Sequence, residues 1–211
     1  MFTPLETTAL IGLTAAFLYF RWKQKQKEGP KKPAFGVGPV QSTPPKPRQA
    51  KPPEEVFAGL RKEALNTTPM NVGMAGEVQD DEPYGMLMEM IIANSVVTLA
   101  CFGSGDASVY YQTGGGMVGG ISHEPVRKAA KEFVAQAKQV VPRMKKTNEY
   151  PLPSPESVRF YALTPKGAYT VETSRQSLSG DSQNALSALF YSGQEVVSQM
   201  RQVQEDRRAS G

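Results

Sequence analysis

Apolar residues follow two patterns along this chain, and each pattern predicts a different kind of element. The runs YGMLMEMII and SVVTLACFG are apolar almost throughout, and Ala93–Asn94 between them suits a tight turn. The segment ASVYYQT follows after the turn-like GSGD. We therefore predict three consecutive antiparallel strands at roughly 85–92, 96–102 and 107–113, in a sheet covered on at least one face.

The segment SHEPVRKAAKEFVAQAKQVVPRM has the other pattern, with apolar residues at the spacing of an amphipathic helix. Ser122 is the predicted N-cap, and Glu124 lies in the first turn. Charged residues on the opposite side of such a helix usually face solvent. The alternative is that they form a surface for a membrane or an acidic partner. The charges on that side are all basic: Arg127, Lys128, Lys131, Lys138 and Arg143.

The C-terminal third completes the predicted fold. VRFYALT and AYTVET flank Pro165-Lys166-Gly167 and predict a hairpin, and residues 183–204 have a helical apolar stripe. The predicted class is α+β, with a five-stranded, largely antiparallel sheet packed with two to three helices. This domain covers residues 84–204, and a charged tail follows at 205–211.

A shorter helix is predicted before the domain, at 53–66. Pro53 suits the first helical position, and Glu54 and Glu55 suit the first turn. A helix this short is not stable alone in water, so it must dock on its own domain, a partner or a membrane. A loop at 67–83 joins it to the domain.

Residues 1–22 are predicted to form a transmembrane anchor. Thr7 to Phe20 carry no charge, and basic residues follow the span rather than precede it. That order favours an uncleaved anchor over the alternatives of a secretory signal or a buried helix. It also predicts a single-pass protein with its N-terminus outside and a cytoplasmic domain. The predicted membrane-interface residues are Tyr19, Arg21, Trp22, Lys23, Lys25 and Lys27.

Composition separates residues 23–52 from the rest of the chain. Ten of the 17 prolines lie between Pro30 and Pro83, and residues 21–51 hold nine Lys or Arg and one Glu. Residues 52–211 are instead slightly acidic, with 15 basic and 18 acidic residues. The pattern predicts a disordered basic spacer, with anionic lipid as a further partner of its lysines. Phe35 is the one aromatic residue in this segment, and the scarcity of aromatic residues among its lysines disfavours a nucleic-acid partner.

The glycine-rich stretch QTGGGMVGGISHEP is the main candidate for a ligand site. It contains Gly114-x-Gly116-x-x-Gly119, but its strand belongs to an antiparallel meander, and no acidic strand end follows at the spacing of a dinucleotide site. A sharp strand-to-helix turn explains the glycines, and a partner-contact surface is a second interpretation. A third is an anion site at the start of the helix. Its residues would be Gly114, Gly116, Gly119, Ser122 and His123.

Candidate chemistry is otherwise sparse. The single cysteine, Cys101, lies in an apolar run and indicates an inert buried thiol, and one histidine makes a zinc site improbable. We predict no catalytic residues, metal or cofactor. The predicted function is a membrane-anchored domain for protein–protein interaction or scaffolding, and the alternative is a nucleotide- or anion-binding sensor. The sequence leaves the partner and the oligomeric state open.

Overall fold

A computed structural model describes residues 51–179 and 184–210 of the chain. Eleven helices and strands lie within them, and three single-turn 3-10 helices connect some of these. In chain order they are α1 (Pro53–Leu65), β1 (Gly85–Ile92), β2 (Ser95–Phe102), β3 (Ala107–Tyr111), β4 (Gly116–Met117), α2 (Glu124–Ala137), β5 (Lys145–Thr147), β6 (Ser157–Thr164), β7 (Gly167–Ser174), α3 (Arg175–Ser179) and α4 (Ala185–Ala209).

All seven strands form one antiparallel sheet in the order β4-β3-β2-β1-β6-β7-β5. The prediction of five strands is therefore wrong, although the α+β combination of sheet and helices is present. The two additional strands, β4 and β5, are two and three residues long and lie at the edges of the sheet. Strands this short have too few residues to show an apolar alternation in the sequence.

One face of the sheet, which we call the α2–α4 face, holds the larger hydrophobic cluster. Met86, Met88 and Met90 of β1 pack there with residues of α2 and α4 such as Phe133 and Leu189. The stripe that the sequence predicts on α2 is buried in full. The helix itself begins at Glu124, and its N-cap residue is His123, so the prediction of Ser122 as the N-cap is wrong. Ser122 instead ends a 3-10 turn that the neighbouring glycines form.

The opposite face, which we call the α1 face, holds a smaller cluster. Leu87, Ala100 and Tyr161 of the sheet pack there with Ala64 and Leu65 of α1. The sequence left open whether α1 docks on its own domain, and in this structure it does.

The predicted transmembrane anchor, its interface residues and the basic spacer up to residue 50 lie outside the described residues. Within 51–179 and 184–210, no helix combines the length and the apolar composition that crossing a bilayer requires. The expectation of a single-pass membrane protein with a cytoplasmic domain is corrected accordingly, because no described element supports it.

Candidate functional site

A buried ion pair fixes α1 to the centre of the sheet. Glu89 lies in the middle of β1 and is fully inaccessible to solvent. The Arg61 side chain reaches it from α1 and donates two hydrogen bonds, from Nε at 2.6 Å and from Nη2 at 2.8 Å. The Thr98 hydroxyl donates a third at 2.8 Å. A charge this deep is stable only with such partners, so the helix and the carboxylate depend on each other.

Arg61 also holds the proline-rich segment between β5 and β6, residues 148–156, which we call the crossover. Its Nη1 donates to the Tyr150 carbonyl at 3.0 Å, and its Nη2 donates to the Pro151 carbonyl at 3.3 Å. Burial disfavours the charge of Arg61, but its hydrogen bonds to Glu89 and the attraction of that carboxylate raise its pKa overall. Burial, and after it the charge of Glu89, raises the pKa of Tyr161 to about 12. The Tyr161 hydroxyl is therefore neutral, and it donates to the Pro151 carbonyl at 2.5 Å.

The ion pair is part of a polar row that crosses five strands on the α1 face. The strand register aligns Tyr110, Thr98, Glu89, Arg159 and Glu172 directly across the sheet. Arg159 forms an ion pair with Glu172, whose carboxylate also accepts from a serine in β6. The Nε of Arg159 is buried without a hydrogen-bond partner among the described residues. The row places opposite charges side by side, which favours one register of the sheet.

An open groove of about 580 Å³ runs beside α1. Its walls come from one side of α1, from the crossover before β6 and from the loop after β3. Leu152 in the crossover is 43% exposed, while Phe57 at the base is 5% exposed. The amide group of Gln112 lies at the rim, where its oxygen accepts from the Val96 N–H at 3.0 Å. The lining residues are Glu54, Phe57, Ala58, Arg61, Lys62, Leu65, Asn66, Gln112, Tyr150 and Leu152.

The candidate residues of the glycine-rich stretch are divided between two places. Gly116, Gly119 and His123 line a separate cavity of about 210 Å³ against the C-terminal part of α4. In it, Arg207 of α4 lies 2.7 Å from Nε2 of His123. Gly114 instead approaches Pro53 at the start of α1, and it does not line that cavity. Ser122 does not line it either.

The backbone N–H groups of this turn have partners within the domain. The Ser122 N–H donates to the Gly119 carbonyl at 3.4 Å, and the His123 N–H donates to the Gly120 carbonyl at 3.0 Å. These N–H groups belong to the turn before α2. The first turn of α2 itself starts at Glu124 and contains Pro125, which has no N–H to offer an anion.

Sequence reasoning missed the residues that the structure brings together most closely, Arg61 and Glu89. One signal was present, since Glu89 is the only charge in an apolar run and a central strand tolerates a charge only with a partner. Its partner lies 28 positions earlier, in a helix whose docking the sequence left open. The pair could not be assigned without the fold.

In the part of the chain that the structure describes, no group of three His, Cys, Asp or Glu side chains is arranged to hold a metal ion. Cys101 is fully buried, and burial raises the pKa of its thiol well above the usual value. Comparison of the chain with family models, with curated proteins and with solved structures gives no significant match.

Proposed function

We propose that this domain is a protein-interaction module and that the groove beside α1 binds an apolar segment of a partner. The observation that carries the proposal is the combination of a concave, mainly apolar lining with an exposed leucine, Leu152, at its wall. Partner-binding surfaces typically bury apolar anchors in such depressions and surround them with a polar rim.

The rim has the polar groups that an extended or helical partner segment needs. The side-chain oxygen of Gln112 accepts a hydrogen bond from the Val96 N–H. The side-chain NH₂ group of Gln112 is then the part that can donate to a partner. At the other end, the Asn66 amide nitrogen donates to the Lys62 carbonyl at 2.7 Å, so its oxygen is the group left to accept. Both amides can pair with a backbone while the apolar walls receive a side chain.

The anion-binding alternative has less support. Pro125 supplies no N–H in the first turn of α2, and the N–H groups of Ser122 and His123 just before it donate to backbone carbonyls of the domain. The carboxylate of Glu124 also lies in the first turn of that helix, where it pairs with Arg127. A second negative group near this turn would be repelled by that carboxylate.

Selection of peptides from a displayed library against the full chain tests the proposed function. Leu152→Glu places a charge on the groove wall and is expected to reduce the binding of the selected peptides at least tenfold. Ile92→Glu is the matched control, because Ile92 is 45% exposed and lies on the other face of the sheet from Glu89. Equal binding by both variants, or equal loss in both, would count against the groove.

A further inference from the structure

We infer that α1 is an exchangeable element, and that the sheet face beneath it binds a partner helix that carries an arginine at the position of Arg61. This goes beyond the groove, because the partner helix would take the place of the helix that forms one groove wall. The partner's chemistry is defined by what the α1 face requires once α1 has left.

Apart from the hydrogen bonds of Arg61, the attachment of α1 to the sheet is small. It has 13 residues, a length at which isolated helices are marginal in water. Only Phe57, Ala64 and Leu65 are buried. The connection to β1 runs from residue 66 to residue 84 and contains one short 3-10 turn, Met70–Val72. It is held at its start by the Tyr84 hydroxyl, which donates to the Thr67 carbonyl at 2.7 Å. Elements with few buried contacts open at lower free energy than the core does.

The buried carboxylate of Glu89 requires a cationic partner. If α1 leaves with Arg61, the carboxylate keeps only the Thr98 hydroxyl among its present side-chain donors. A partner is therefore favoured if it restores two parallel N–H donors to the two carboxylate oxygens. Arginine has that planar fork and lysine does not.

The apolar cluster defines the remaining positions of the partner helix. In α1, an aromatic residue lies four positions before the arginine, and Ala64 and Leu65 lie three and four positions after it. These spacings place all of them on one helical face, where Ala64 and Leu65 pack with Leu87, Ala100 and Tyr161 and Phe57 is also buried. We expect a partner helix with an aromatic residue, an arginine, a small residue and a leucine at the same spacing.

Binding of a labelled peptide of residues 51–67 tests the inference on the full chain. Phe57→Ala in the chain removes an apolar contact of the tethered helix but keeps Arg61. Because the internal competitor is weaker, the peptide is expected to bind this variant at least tenfold more tightly than the wild-type chain. The same peptide with Arg61→Gln is expected to bind it at least tenfold more weakly. Adding Glu89→Gln to the chain is expected to abolish the difference between the two peptides.

Equal affinities of the two peptides for the Phe57→Ala chain would overturn the inference, as would no binding to a Phe57→Ala chain of native circular dichroism. If the Phe57→Ala variant does not fold, amide hydrogen exchange of the wild-type chain tests the inference instead. We expect the amides of α1 to exchange at least tenfold faster than those of β1 and β6, and exchange at the same rate would overturn the inference. The two proposals can also be told apart. If a library peptide loses affinity on Leu152→Glu while the amide hydrogens of α1 exchange no faster than those of the strands, the groove is a binding site and α1 is not replaced by a partner helix.

Discussion

Two carboxylates of this domain are removed from water to different degrees, since Glu89 is fully buried and Asp106 is half-buried. Glu89 has an arginine and a hydroxyl as partners, and loss of the arginine alone would leave an uncompensated buried charge, at a cost of about 3–5 kcal/mol in comparable pairs. Among the described residues Asp106 has no side-chain donor, and the backbone N–H groups of Ala107 and Ile121 favour its charged form instead. Burial outweighs these donors and raises the pKa of Asp106 to about 6. Glu89 therefore anchors an element, whereas Asp106 makes the stability of the domain depend on pH.

The sign of that pH dependence follows from the direction of the shift. The folded domain holds the Asp106 proton more tightly than the unfolded chain does, so the contribution of this group to stability is complete at low pH and is lost as the pH rises through about 6. Asp106→Asn keeps an acceptor for both N–H groups and cannot ionise. As the pH rises from 4 to 7, the unfolding free energy of the wild type is expected to fall relative to that of the Asp106→Asn variant. Urea denaturation across this range measures it, and parallel curves would show that Asp106 is not responsible.

At the scale of elements, the glycine-rich stretch is a turn with two distinct requirements. Gly116 of β4 pairs with Tyr110 of β3, and a Cβ atom on Gly116 would lie 2.2 Å from the carbonyl oxygen of Val109. Gly119 has φ of 81° but open space around the position of a Cβ atom. The first glycine permits close approach of two backbones, and the second permits a left-handed conformation.

These requirements predict unequal effects of alanine. Gly116→Ala forces β3 and β4 apart and is expected to cost about 1–3 kcal/mol of stability, as overpacking does. Gly119→Ala encounters no atoms and is expected to cost only about 1 kcal/mol, for the left-handed backbone. Chemical denaturation of both variants gives the comparison. A larger loss for Gly119→Ala would mean that the turn is not held by the contact between β3 and β4.

The elements that the sequence predicted well are those with a strong apolar period. The strand predicted at 85–92 has those bounds in the structure. The turn predicted at Pro165-Lys166-Gly167 joins β6 to β7, with Pro165 and Lys166 between the strands and Gly167 as the first residue of β7. The short edge strands β4 and β5 were missed, because edge pairing is decided by the neighbouring strand rather than by the residues themselves. Lys145 and Lys146 of β5 are exposed, which is common at an edge that must not pair with another chain.

At the scale of the whole molecule, one sheet separates two unequal clusters. The α2–α4 face is covered by long amphipathic helices, and its apolar stripes were visible in the sequence. The α1 face is covered by one short helix, by the connection between α1 and β1 and by a proline-rich crossover, and its site depends on contacts between distant segments. The groove could not be predicted for that reason, since Phe57 and Leu152 are 95 positions apart and neither belongs to a motif.

If the groove beside α1 docks a partner, a library-selected peptide must contact its walls. Chemical-shift mapping of the isotope-labelled full chain with such a peptide shows where it binds. We expect the largest shifts at Ala58, Leu65 and Leu152, with Ile92 and the residues of α4 unchanged. Largest shifts at the cavity of Gly119 and His123, or small shifts spread over the whole domain, would contradict it.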